Sequence, residues 1–221
     1  MSSGTTGEAG RRAPLDRARV VETAVALADA KGIGGVTMRA VAGGLGVEAM
    51  SLYNHVRNRD DLLDGMVDTV FAEIELPPAD SAWREAMRRR ADSARRVLRR
   101  HPWAVALLDS RSPGAATLRH HEAVLGVLRT GGFSVEAAVR AFFVVDSYVY
   151  GAVLQEVGLP FGGQEGLEQV VDDVADRLDV ASHPRLVEVA TGYASQQGYD
   201  FVEAFDAGLT LILGALHPDE G

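Results

Sequence analysis

Apolar residues recur at helical spacing along almost the whole chain, and no stretch keeps the strict alternation of a half-buried strand. The pattern predicts an all-α protein. Val20, Ala24, Leu27 and Ala28 mark a first helix over Asp16 to Lys31, closed by Gly32. Thr37 caps a short second helix whose apolar side is Val41, Ala42 and Leu45. Gly46 falls where the chain must turn sharply, and Val47, Leu52 and Val56 continue the apolar face beyond it. This is the spacing of a helix-turn-helix. Asn58, with Asp61 three residues on, opens a fourth helix predicted to run to about Glu75, where Leu76-Pro77-Pro78 stops it.

Further along, Trp83, Met87, Ala91, Ala94 and Leu98 form one stripe, which leaves most of the arginines between Arg84 and Arg100 for a solvated face. His101-Pro102 and Ser112-Pro113 place proline at helix starts, Gly131-Gly132 ends a helix, and Ser134 caps the next. Ala137 to Gln155 is apolar almost all round, and Phe201 to Leu216 repeats the pattern with Gly208 allowing close approach. One monomer of this size cannot cover both, so these two helices are the predicted dimer surface. Between them, residues 158–182 are glycine-rich and then acidic, read as a loop with a short helix. The chain therefore divides into a disordered arm over 1–13, a three-helix reading domain over 14–59, and a helical ligand-binding and dimerisation domain over 60–217.

Charge sharpens this division. The net charge is −9, yet residues 11–60 carry eight Lys and Arg against five Asp and Glu, while residues 61–221 carry a balance of −11. A small basic head on an acidic body suits a protein that presents only its head to DNA. Cysteine is absent, which excludes disulfides and thiolate chemistry. No apolar run of the length a membrane span needs is expected, and Met1 to Arg12 lacks the hydrophobic segment of a secretory signal, so the sequence predicts a cytoplasmic protein without membrane contact.

Enzyme signatures are weak. Gly44-Leu45-Gly46-Val47-Glu48-Ala49 matches the GxGxxA form of a dinucleotide fingerprint but follows no strand, and the turn between two helices explains the same glycines. His120-His121-Glu122 lacks the i, i+4 spacing that puts two ligands on one helix face. The reading is not an enzyme, with no cofactor and no metal. The alternative is a helical small-molecule-binding protein or enzyme without operator control.

Leu45-Gly46-Val47, the run Leu52-Tyr53-Asn54-His55-Val56, and Arg57 to Leu63 together resemble the DNA-binding motif of the TetR family of bacterial repressors. Trp83, His101, Pro113, Gly132-Phe133-Ser134 and Gly151 resemble landmarks of the ligand-binding core of the tetracycline repressors. The resemblance implies a homodimeric repressor on a palindromic double-stranded operator, its half-sites about 34–36 Å apart. Ala49, Met50 and Ser51 would face bases, Tyr53 and His55 would lie along the sugar-phosphate chain, and Arg39 and Arg59 would approach phosphates or bases. Asn54 departs from the pattern, standing where tetracycline repressors carry tryptophan, and can pair with adenine or bond a phosphate. Tyr53 has packing against the first helix as its alternative.

For the ligand, the aligned positions hold Glu75, Arg90, Leu108, Ser147 and Gln155, and the Thr-Arg-Pro turn of the family reads Arg111-Ser112-Pro113. The resemblance puts Leu108 in the place of a metal-binding histidine, so magnesium-tetracycline is not the expected inducer. The expected site is an apolar cavity of Phe71, Trp103, Leu107, Leu108, Phe143 and Tyr148, with Arg90 beside Ala94 at its edge. Its expected occupant is a hydrophobic, aromatic or polyketide-like effector with an acidic group for Arg90. An internal Arg90 to Glu75 ion pair and plain core packing of the aromatics are the alternatives. Induction would move the fourth helix and change the separation of the two heads.

Overall fold

The computed structural model describes residues 14–158, 182–194 and 200–219, and no strand occurs among them. The expected arm over 1–13, and most of the expected loop and short helix over 158–182, lie outside the described residues. Among the described residues ten α-helices follow in order: α1 Arg17–Lys31, α2 Met38–Leu45, α3 Ala49–Leu52, α4 Arg59–Glu73, α5 Trp83–Arg100, α6 Pro102–Val105, α7 Ala115–Thr130, α8 Val135–Gly158, α9 Pro184–Ala194 and α10 Phe201–Ala215.

The caps predicted at Thr37 and Asn58 are in place, and Asp16 caps α1 as well. Asp16 accepts from the Arg19 N–H, Thr37 Oγ1 from the Ala40 N–H and Asn58 Oδ1 from the Asp61 N–H. Gly46 adopts φ 67° and ψ 37°, a left-handed cap that a side chain with Cβ disfavours. Val20, Ala24, Val41, Ala42, Leu52 and Val56 pack into the buried core of the head. Helix α3 is a single turn rather than a longer reading helix. After Leu52 the backbone tightens into i to i+3 bonds, from Tyr53 N–H to Met50 and from His55 N–H to Leu52.

Helix α4 stops at Glu73, two residues short of the predicted end. Ile74 turns extended, and the next N–H leaves the helix axis to donate to Ser93 Oγ at 3.0 Å. In the body, α5, α7 and α8 pack on one another and α10 lies along α8. The Tyr148 hydroxyl donates to the Phe205 carbonyl at 2.9 Å. A Cβ on Gly208 would run into the outer end of the Tyr148 ring, so the seat of Tyr148 against α10 depends on this glycine.

One reading of the sequence is qualified here and one corrected. Five of the eight arginines of α5 are exposed, as its apolar stripe predicts, but the rest of that surface is partly covered. Arg90 and Arg95 are buried, Arg84 donates to the Leu213 and Leu216 carbonyls, and Arg88 donates to Thr210, because α8 and α10 dock over that side of the helix. Helix α8 is, by length and composition, apolar enough to cross a membrane, with a mean hydropathy of 1.4. The charged residues at Glu136, Arg140, Asp146 and Glu156 hid that run from the sequence reading. Its inner face, including Ala141, Val145, Val149 and Val153, is buried in the protein core, while Phe143 and Leu154 stay more than half exposed.

Candidate functional site

The head presents a coherent polar and aromatic surface. Met50 is 75% exposed at the tip of α3, Tyr53 is 45% exposed, and Asn54, Arg39 and Arg59 are also exposed. Ala49, Ser51 and His55 are half-buried at the same end of the domain. The exposed position of Tyr53 leaves its ring accessible beside Asn54. Arg57, in the following loop, has its side chain 84% exposed and makes a 3.4 Å contact with Asp61.

Two connections fix this head to the body. At the start of α1, Arg17 donates to both oxygens of Asp61 at 2.8 and 2.9 Å, and the Arg57 N–H donates to the same carboxylate at 2.8 Å. Arg17, aided by the Arg57 backbone, holds the Asp61 carboxyl far below the usual carboxylate range despite its burial. At the far end of α1, Asp29 Oδ1 accepts from Trp103 Nε1 at 2.6 Å and contacts His101 Nδ1 at 2.8 Å. The other ring nitrogen of His101 lies 3.3 Å from Glu73, at the end of α4. Trp103 is thus a tie between α6 and α1, turned away from the expected cavity.

That cavity lies between α4, α7 and α8 and encloses about 410 Å³, within the usual range of small-molecule sites. Of the residues singled out for it, Phe71, Leu108, Arg111, Phe143 and Ser147 line it together. Val67, Thr117, His121, Phe142, Asp146 and Tyr150 complete much of the wall and were missed. Asp146 could have been flagged, since a carboxylate within the apolar run from Ala141 to Val149 needs a partner. Tyr148 and Gln155 instead line a second cleft of about 270 Å³ against α10, to which Ser147 also contributes. Ala94 is fully buried core, and Leu107 is half-buried against the core. Glu75 faces outward, 3.2 Å from Arg96.

Arg90 does not pair with Glu75 and is not part of the cavity wall. It is fully buried, bonded through Nη1 to Asp146, while its Nε donates to His120 Nε2 at 2.9 Å. Burial works against its charge, and Asp146 outweighs burial so that its pKa is raised. Accepting that bond leaves the His120 proton on Nδ1. Burial first, then the charge of Arg90, pushes the His120 pKa down to about 3. Asp146 also accepts from the Tyr150 hydroxyl at 3.0 Å, so the carboxylate that faces the cavity is already neutralised. His121, beside it, is likewise pushed down by burial and is neutral at physiological pH.

Comparison with known proteins matches residues 20–66 to the model described as bacterial regulatory proteins, tetR family, and residues 76–217 to the model described as tetracyclin repressor-like, C-terminal domain. The HTH-type transcriptional repressor DrrR1 of Streptomyces coeruleorubidus is 38% identical over 69% of this chain, which spans only 58% of that protein. The tetracycline repressor protein class A from transposon 1721 of Escherichia coli is 30% identical over 89% of this chain and 88% of its own. Among solved structures, the Streptomyces coelicolor TetR family protein ActR in complex with actinorhodin superposes with a TM-score of 0.77 at 30% identity, over 92% of this chain and 96% of that one.

Proposed function

Because the chain belongs to the TetR family of bacterial regulatory proteins, and is therefore a DNA-binding, ligand-responsive transcriptional regulator rather than an enzyme, we propose that it is a cytoplasmic repressor that holds a palindromic operator as a homodimer and lets go when a hydrophobic, aromatic ligand fills the cavity of the body. The observation that carries the reading is the cavity itself. It is walled by α4, whose first turn is bound to the head through Asp61 and Arg17. A ligand that reshapes this wall acts directly on the element carrying the reading surface.

Three features support the finer parts. Phe71, Phe142, Phe143 and Tyr150 give the cavity aromatic walls, and ActR, a relative of similar fold, was solved with actinorhodin bound. Leu108 contributes an aliphatic chain to the wall, which supports a metal-free ligand rather than a magnesium complex. On the outside, Val144, Leu154 and Leu211 lie exposed on α8 and α10, an apolar face that a second copy would cover. In this reading, Ala49, Met50, Ser51 and Asn54 approach bases, while Tyr53, His55, Arg39 and Arg59 meet the backbone.

The test is footprinting of the purified protein on the DNA upstream of its own gene, with sedimentation at micromolar concentration. A protected inverted repeat bound by a dimer, with affinity falling steeply as salt rises, is the expected result. A stable monomer, or protection without twofold symmetry, overturns the proposal.

A further inference from the structure

Arg111 belongs to two environments at once. It lines the cavity, where it is the one permanent cation among the described lining residues. It also reaches outward to α4: Nη1 lies 3.0 Å from Asp60 Oδ1 and 3.9 Å from Asp64 Oδ1. Its Nε is buried and makes no hydrogen bond to any described residue. The other charges of the wall are spent, since Asp146 is paired with Arg90 and Tyr150.

The aspartates form a row. Asp60, Asp64 and Asp68 stand at i, i+4 and i+8 on one side of α4. Asp64 accepts the Ser112 N–H at 3.3 Å, and Asp68 accepts the Ala116 and Thr117 N–H groups at 3.2 and 2.8 Å. The row therefore holds the connection from Arg111 into α7 against the helix that carries the head.

The two sides of Arg111 differ in strength. Asp60 is 76% exposed, and a pair so wet changes an equilibrium by about fivefold at most. An anion inside the cavity, meeting the dry Nε and the inner edge of the guanidinium, gains about ten- to a hundredfold from a charge-assisted hydrogen bond. The inner partner wins.

We propose that Arg111 is the anion-recognising group of this cavity, and that the effector is an aromatic acid whose carboxylate or phenolate draws Arg111 away from Asp60 and Asp64. This rests on the ligand-responsive reading above and deepens it. Capture of Arg111 loosens the first two turns of α4 from the Arg111–Ser112 turn, and those turns carry Asp61, the anchor of the head. Recognition of the anion and release of α4 are then one event.

The test uses anthraquinone-2-carboxylate and its methyl ester, a pair that differs only in the anion, with the full-length protein. Thermal stabilisation reports binding and fluorescence polarisation of labelled operator reports release. The wild type should prefer the acid by about tenfold or more. Arg111→Gln should bring the acid and the ester to the same affinity, and Arg111→Lys should retain part of the preference. Asp60→Asn, which frees the guanidinium, should tighten the acid by up to about fivefold and leave the ester alone. Failure of the acid to stabilise the protein, or a preference that survives in Arg111→Gln, overturns the inference. Operator release by the ester alone would remove the acid from the proposal while leaving ligand-responsive repression standing, and unliganded operator binding checks that reading separately.

Discussion

Replacing Asp61 by asparagine tests whether the head is held to α4 by charge. The carboxylate is nearly buried, with its side chain 11% exposed, and takes two hydrogen bonds from Arg17 and one from the Arg57 N–H. Asparagine keeps one acceptor, loses the charge, and turns an NH2 group toward a guanidinium. Breaking a buried pair costs about 3–5 kcal/mol. Arg17 is 45% exposed and can recover water, so the lower end, about 3 kcal/mol, applies. For a protein of this size that is a fall in melting temperature of about 6–12 °C. The pH dependence gives a second handle. Asp61 titrates far lower folded than unfolded, so its stabilisation is complete above the ordinary carboxylate range and drains away as pH falls through it toward the folded value. The gap between wild type and variant, followed by circular dichroism melts, should therefore be widest near neutral pH and narrow from about pH 4 downward. A variant that melts within about 2 °C of wild type at pH 7, or a gap independent of pH, refutes the argument.

Other outcomes follow from the same geometry. Arg90→Ala strips the counter-charge from Asp146 and should cost about 3–5 kcal/mol in urea unfolding, a far larger effect than loss of a ligand contact; near-wild-type stability would mean that Asp146 is already hydrated. His120, with a folded pKa of about 3 against an ordinary 6.5, should keep a constant imidazole NMR signal from pH 8 to about 5, while protonation of the unfolded chain lowers stability as pH falls below 6.5. Asn54→Ala should weaken operator binding by about 1–3 kcal/mol with preference relaxed at one base position per half-site, whereas a uniform loss across sequences assigns the side chain to phosphate.

Local signals carried the sequence reading well. Asp16, Thr37, Gly46 and Asn58 each act within a few residues of themselves, and each stands where its type predicts. The failures are tertiary. The i, i+3, i+4 stripe on α5 says which residues face one core. It cannot say that α8 and α10 pack along its flank and bury Arg95 as well, or that Arg90, at its edge, meets His120 and Asp146. Trp103 was read as a cavity wall because aromatics favour such walls; its indole N–H found a carboxylate on α1, seventy-four residues away in sequence. Phe71, Leu108, Arg111, Phe143 and Ser147 were found through aligned positions and apolar character. Asp146 was missed because its role depends on Arg90, a partner that periodicity does not identify.

The two attachments of α1 make that helix a lever. Arg17 at one end is clamped to α4, and Asp29, twelve residues on, is clamped to Trp103 and His101 beside α6. At the rise of an α-helix these points are about 18 Å apart, so sliding the α6 clamp sideways by about 1 Å about a fixed Arg17 turns α1 by about 3°. Helix α2 packs on α1 and α3 on α2, so the reading surface turns with α1. A ligand that shifted α4 and α6 together would carry the head as a rigid body; one that shifted them by different amounts would rotate it. Rotation tilts the α3 tip in its groove even when the distance between two heads is unchanged, so spacing alone is an incomplete measure of whether the operator is held.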